Sequence, residues 1–501
     1  MRWSFIPRSQ PFFTIANSRS AFASPRSRTT MSAQSQAKPY LRGVIFDMDG
    51  TLTVPNLDFT EMYKRCGVDL SEDLLEAVSK MHPDEEARAR RVIDEMEAQG
   101  AATLRIAPGV LECIKWLEAH DVPTALVTRN SGATVAALLE TLWTPLGLRP
   151  FAPALSRDSR NAEGGLLPAK PHPASLRSIA DSWGVTLPSE GLVMVGDSPS
   201  NDVAFGKAAG VATALVDSGR RYLEESAQKA GVGAGGGADV CVECLALLPA
   251  HLYARYALPS GASAALEAAN GGKLPAPEPT TAAGRFAGAG DLAALAEAPG
   301  GGEGGQGVDP LAEADPANGN TPLIWAADAG HAEAVAFLLG HHQARAAAAG
   351  KSPEAAESAV AAAVNAQGFL GATAVSRAAR RGHLGTLEVL LGLAPPPTTT
   401  SSSSSFDQAK PEAAVNPRVI TADPDIPNVK LQAPLHFAAF KQKSKAVAAL
   451  LRAGANPLVL DRKGRTPAED TADPGIRAAL LAARGAWLAE RVADPGLLDP
   501  K

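Results

Sequence analysis

The sequence predicts a multidomain chain: an α/β domain on a doubly wound parallel sheet with a helical insertion, followed by an all-α solenoid of stacked helix pairs. Three observations predict it. Short β-branched runs alternate with helix-like segments between residues 39 and 250, the pattern of a parallel sheet covered on both faces. After about Leu248 the composition shifts to Ala, Gly and Pro. Beyond that, "TPLIWAADAGHAEAVAFLL" (321–339), "TAVSRAARRGHLGTLEVLL" (373–391) and "APLHFAAFKQKSKAVAALL" (433–451) align without gaps, the signature of an internal repeat.

Length and composition agree with that plan. At 501 residues the chain exceeds one ordinary core, and 45% hydrophobic with 20% charged residues is the make-up of a globular protein. Four cysteines do not make a disulfide framework, which fits a reducing compartment. No apolar run approaches the roughly 18 residues that cross a bilayer, so no membrane partner is expected. A net charge of -6 offers no basic footprint for nucleic acid.

The first element, residues 1–38, is Ser-rich and holds Arg2, Arg8, Arg19, Arg26, Arg28 and Lys38, and no acidic residue precedes Asp47. An organelle transit peptide has this composition. The Ser and Pro content, without a clear amphipathic helix, favours chloroplast; mitochondrion and cytoplasm are the alternatives.

In the α/β domain, residues 39–250, the strand-like runs are "RGVIF" (42–46), "PTALVT" (123–128), "GLVMVG" (191–196), "VATALV" (211–216) and "ADVCV" (238–242). Reactive groups in such sheets gather beyond the carboxyl ends of the strands. Asp47, Thr128 and Asp197 stand at that end of their runs, and Lys170 heads a helix-like segment in "LPAKPHPASL". The pair Asp47 and Asp49 directly follows a buried strand, where two carboxylates repel and need a cation or a proton relay. A carboxylate attacks phosphorus to give an acyl phosphate, provided a divalent cation and a lysine cancel the repulsion between anions. Asp47 and Asp197 can share one Mg2+. Lys170 would clamp phosphate and Thr128 would hold a phosphoryl oxygen. Asp49 would be the general acid for the leaving alcohol, then the base for water.

"DMDGT" (47–51), "LVTRN" (126–130), "AKPHP" (169–173) and "GDSPSND" (196–202) resemble, in order, the four motifs of the haloacid dehalogenase superfamily, whose sheet is Rossmann-like. The resemblance implies Asp47 as nucleophile, Asp49 as acid/base and metal ligand through its backbone carbonyl, and Thr128 and Lys170 as phosphate ligands. It implies Asp197 as metal ligand and Asp202 as metal-site support. In that family an aspartate two residues past the nucleophile marks phosphotransferases rather than dehalogenases, so Asp49 is the discriminating residue.

Residues 54–107 are too many for a simple crossover. "SEDLLEAVSKMH" (71–82) and "HPDEEARARRVIDEMEAQG" (82–100) read as two helices, the second opening on Pro83 and acids and stopping at Gly100. The insertion resembles the small helical cap of the superfamily, which implies a small phosphate ester as substrate. Lys64, Arg65 and Arg88 are candidates for substrate contact, with solvated surface charge the alternative. Cys241 and Cys244 form a lone C-x-x-C, too few ligands for zinc. His172 reads as a helix-start residue.

Residues 251–282 read as an Ala/Gly/Pro-rich linker. From Ala433 to Thr466 the repeat offset is 33, and the units resemble ankyrin repeats, spanning 283–484 with a degenerate amino-terminal unit at 283–298. The spacings of 52 and 60 between the three units imply insertions of 19 and 27 residues, expected to lengthen loops. Residues 485–501 form a tail. Solenoids present concave surfaces to protein partners, which is the role expected here.

Taken together, the residues predict a Mg2+-dependent phosphatase of a small phosphorylated metabolite, with ankyrin repeats for protein binding. Two alternatives stay open: an ankyrin scaffold with a vestigial or sensing phosphatase-like domain, and a phosphomutase.

Overall fold

The computed structural model describes residues 38–219, 222, 237–259, 276–297, 312–349, 352–393 and 422–493. The basic leader, most of the Ala/Gly/Pro joint, the "PPPTTTSSSSS" stretch and the end of the tail lie outside the described residues.

Six parallel strands form the sheet: β1 (Gly43–Phe46), β2 (Thr124–Val127), β3 (Ala154–Leu155), β4 (Ser189–Gly196), β5 (Val211–Val216) and β6 (Val240–Val242). Their order is β3-β2-β1-β4-β5-β6. All five predicted runs are strands; β3, two residues long, is too short to carry a pattern. The order reverses at β1, so a crevice opens beyond the ends of β1 and β4, the place where doubly wound sheets bind ligands. Side chains alternate between two apolar layers. Val44 and Phe46 pack with Trp116, Leu117 and Leu138 on one face, and Ile45 packs with Leu176, Ile179 and Phe205 on the other. That double burial explains why the strands read as continuous apolar runs.

The insertion is three helices rather than two: α1 (Phe59–Cys66), α2 (Leu74–Ser79) and α3 (Pro83–Ala101). α1 spaces Phe59, Met62, Tyr63 and Cys66 as an amphipathic helix does, but at eight residues it is too short for that pattern to stand out from the surrounding loop. Its ends are nonetheless well defined: the Asp58 side chain accepts from the Glu61 amide, and Gly67 closes the helix in the left-handed region. Met62, Cys66, Leu74, Val78, Ala89 and Ile93 make a separate small core, so the insertion is a cap with its own packing.

The α/β domain runs past residue 250. A helix at Leu248–Arg255 buries Leu248 and Leu252, and Tyr40 forms a β-bridge with Ala257. Cys241 is half-buried and Cys244 buried, and burial raises their thiols to about 11 and about 12.

The units at 321 and 373 start as their sequences suggest. Thr321 and Thr373 accept from the amides three residues on, and Gly330 and Gly382 end the first helices in the left-handed region. Ala326, Ala327, Ala378, Ala379, Ala438 and Ala439 are all fully buried, so successive first helices stack through methyl groups. The helix pair at Ala282–Ala289 and Leu292–Ala296 is the degenerate first unit. The 19-residue insertion is not a longer loop. It extends the second helix over Ala332–Ala348 and adds a helix at Pro353–Val364, whose Val360 and Val364 join the solenoid core. Among the described residues no helix is long and apolar enough to cross a membrane.

His436 is wholly buried in the third unit. Its Nδ1 accepts from the Ala433 amide and its Nε2 donates to the Arg465 carbonyl, which holds the ring neutral. Burial holds its pKa below the ordinary value of 6.5. The unfolded chain then takes up a proton that the folded chain refuses, so stability is complete above about pH 6.5 and falls as pH drops below it. Melting curves at pH 7.5 and 5.5 are expected to show a smaller acid-induced loss in His436→Gln than in the wild type.

The carboxyl-terminal end of the solenoid is seated on the α/β domain. Trp116, on the helix at Val110–Ala119, donates from Nε1 to the carbonyls of Asp461 (3.1 Å) and Arg462 (3.2 Å). Asn456 donates to Glu112 at 2.5 Å. Leu458 packs with Cys244 and Ala246, and Leu460 enters the core beside the sheet. Gly464, at φ 71°, lies so close to Pro249 that a Cβ there would meet the Pro249 carbonyl carbon at 2.4 Å.

Candidate active site

The crevice beyond β1 and β4 holds the sequence-predicted residues together. A cavity of about 390 Å3 lies between the sheet ends and the cap, lined by Asp47, Asp49, Thr128, Lys170, Asp197 and Asp202 among others. Asp47 follows β1, Thr128 follows β2, and Asp197 follows β4. Asp202 sits in a single π-helical turn, Pro199–Val203, capped by the Ser198 side chain.

Lys170 is buried and donates to both Asp47 and Asp202, the latter at 2.6 Å. Burial works against its charge, but Asp202 and Asp47 outweigh it and raise its pKa, so the ammonium persists. Burial likewise raises the Asp47 carboxyl, with Lys170 pulling against it and Asp202 adding to the push. The Ser198 amide donates to the second Asp202 oxygen at 3.0 Å, which fixes that carboxylate.

Asp49 has a different setting. It accepts from Asn130 Nδ2 at 2.7 Å and from the Thr53 hydroxyl at 3.2 Å, and burial raises its pKa. The two neighbouring aspartates are thus separated in function by their partners: Asp47 faces a fixed cation, Asp49 faces neutral donors. Thr128 accepts from the Asn130 amide at 3.1 Å, which leaves its own hydroxyl proton free to donate.

Oxygens of Asp47, Asp197 and Asp202 lie within 4.8 Å of one another. Burial, then the Asp202 carboxylate, pushes Asp197 up to about 6. Three carboxylates sharing one ammonium are short of positive charge, and an all-oxygen donor set suits a hard divalent cation such as Mg2+. Gly50 keeps the space around Asp197 open. At φ 74° its backbone favours glycine, and a Cβ there would lie 2.2 Å from the Asp197 carboxylate. The Asp49 side chain stands outside the three-carboxylate group.

Sequence reasoning missed the residues that join cap to sheet. Arg129 bonds Asp73 of the cap at 2.6 Å and Asn201 at 3.3 Å. Arg157 bonds Glu97 and, at 3.0 Å, Asp94, both on α3. Both arginines line the cavity. The only available signal was position: Arg129 directly follows Thr128, and Arg157 follows β3. Lys64 and Arg65 instead pair with Glu61 and Glu95 at the surface, and none of Lys64, Arg65 and Arg88 lines the cavity. His172 is exposed and its ring accepts from the Ala174 amide at the start of the following helix.

This fold and this site define a hydrolase of the capped α/β kind, carrying an ankyrin array. A family model for haloacid dehalogenase-like hydrolases matches residues 41–210. Ankyrin models match 294–401, as three copies, and 431–462. The chain is 36% identical over 197 residues to a haloacid dehalogenase-like hydrolase domain-containing protein of Arabidopsis thaliana, covering 37% of this chain and 75% of that one. It is 30% identical over 184 residues to an uncharacterised hydrolase of Saccharomyces cerevisiae, covering 36% and 79%. It is 32% identical over 149 residues to phosphoglycolate phosphatase 1 of Pseudomonas aeruginosa, covering 29% and 50%. The chain belongs to the haloacid dehalogenase-like hydrolase family.

Proposed function

We propose that the protein is a Mg2+-dependent phosphatase that hydrolyses a small phosphate monoester through an aspartyl phosphate. The observation that carries this reading is the convergence of Asp47, Asp49, Thr128, Lys170 and Asp197 on one cavity beneath the cap. An Asp47 oxygen attacks phosphorus, the bond from phosphorus to the ester oxygen breaks, and protonated Asp49 delivers its proton to the departing oxygen. Asp49, now a carboxylate, takes a proton from water as the water oxygen attacks the acyl phosphate. Inorganic phosphate leaves and Asp47 is regenerated. Lys170 and the Thr128 hydroxyl hold phosphoryl oxygens throughout. When bound, Mg2+ supplies positive charge that lets an anionic ester approach Asp47. Asp47 and Asp197 would hold it, with Asp202 and the Asp49 carbonyl in support.

The cavity volume and the cap that lines it favour a small ester, and the name of the Pseudomonas relative puts phosphoglycolate first in any panel. The ankyrin repeats serve as a protein-binding surface in this reading. Chloroplast is the location it favours, on the Ser- and Pro-rich composition of an acid-free leader.

The test is phosphate release by the full chain across a panel of small esters, with Mg2+ and after chelation. Turnover is expected to fall at least ~100-fold on metal removal and to return on adding Mg2+ back. Silence across the panel by a folded chain would overturn the reading in favour of a scaffold. Transfer between sugar positions without phosphate release would indicate a mutase.

A further inference from the structure

The solenoid carries a second cavity, of about 1030 Å3, between the first helices of three successive repeats and the turns that precede them. Its lining is charged in one sense. Arg377, Arg380, Arg381, Lys430, Lys441 and Lys443 face it, against a single carboxylate, Asp328. The chain as a whole carries -6, so this density is local and not a matter of composition. Asp328 is already taken: Arg381 bonds it at 2.9 Å and Arg377 lies 3.9 Å away. Arg380, Lys430 and Lys443 are exposed and have no carboxylate within ion-pair distance among the described residues. Lys441 rests over the Phe440 ring at 5.1 Å. Phe440 is itself 59% exposed, an uncovered aromatic inside a ring of cations, with Phe437 beside it in the lining.

We infer that this groove docks an acidic peptide segment of a partner protein, one that alternates carboxylates with an aromatic or aliphatic anchor. Like charges crowded into a concave, low-dielectric surface repel one another and focus a positive potential, and an anionic ligand relieves the first while using the second. The exposed phenylalanine supplies an apolar contact of the kind that dominates docking energies. Nucleic acid fits less well. Its binding needs a basic track along the backbone, whereas these cations are confined to one groove on an acidic chain. The inference stands on the groove alone and does not depend on the phosphatase reading.

The experiment uses the full chain and a fluorescent peptide of about twelve residues that alternates Glu with Leu and Phe, a mimic of acidic-motif recognition. Binding is expected to weaken at least ~10-fold between low and high salt. It is also expected to weaken at least ~10-fold in the double variant Arg380→Glu, Lys443→Glu. Both positions are exposed, so the melting temperature and ester turnover are expected to stay as in the wild type. The same peptide with Gln in place of Glu should not bind. Peptide binding that survives the double variant, binding of the Gln peptide, or a single-stranded oligonucleotide that binds more tightly than the acidic peptide would each overturn the inference.

Discussion

Asp47→Asn is expected to lower turnover by at least ~10⁴-fold while leaving the chain folded. A carboxamide oxygen is too weak a nucleophile to form the acyl phosphate, so the loss falls on the chemical step rather than on binding. The fold should tolerate the change for a specific reason. The carboxamide keeps an oxygen that can accept from Lys170, and Lys170 keeps Asp202 at 2.6 Å as its ionic partner. One charge also leaves a crowded group of carboxylates, so the metal-free melting temperature should not drop. Asp49→Asn makes the informative contrast. Its loss removes proton transfer, worth about 10²–10⁴-fold, and an ester with a good leaving group should suffer least because its alcohol hardly needs the proton. Steady-state rates on esters of graded leaving-group pKa, with mass detection of the phosphorylated chain, separate the two roles. Full activity in Asp47→Asn would sink the mechanism.

The residues of that mechanism were legible in the sequence because strand ends position them, and strand ends are marked by local pattern. Asp47, Thr128 and Asp197 each close an apolar run, and a parallel sheet brings such ends together whatever the helices between them do. Lys170 was legible from the positive charge that phosphate chemistry demands and from its place at the head of a helix-like segment, and Asp202 only through the motif resemblance. Arg129 and Arg157 were not, because what defines them is their partners. Asp73, Asp94 and Glu97 lie on cap helices or at their caps, 56 to 63 residues away in sequence, and no local pattern ties an arginine to a distant acid. The helix at Pro353–Val364 was hidden for a related reason. It sits in an interruption of the 33-residue period, and its apolar face makes sense only against neighbouring repeats. The contact between the solenoid and the α/β domain lay furthest out of reach, since it pairs residues 344 to 346 positions apart.

That contact carries the other large expectation. Trp116→Ala is expected to destabilise the chain by about 3–5 kcal/mol, the usual cost of emptying a buried tryptophan site. Trp116 is 2% exposed, stacks on His120 with ring centres 4.2 Å apart, and packs in the core beside the sheet. Its indole N–H is also a tie to the solenoid through the Asp461 and Arg462 carbonyls. The substitution therefore removes packing inside one domain and a link between two. Trp116→Phe separates the effects, since it keeps most of the packing and loses the donor, and its cost should be nearer the ~1 kcal/mol of a single hydrogen bond. Coupling makes a further demand. If the seated end of the solenoid stabilises the α/β domain, hydrogen exchange should show protection lost in residues 456–465 and in the helix at Val110–Ala119 together, in both variants. Substitution of Gly464 by Val attacks the same seam from the other side, because its Cβ would collide with the Pro249 backbone. It should loosen the same two segments without touching the tryptophan. Loss of protection confined to one side would mean that the contact is passive, and that the repeats and the α/β domain hold themselves up independently.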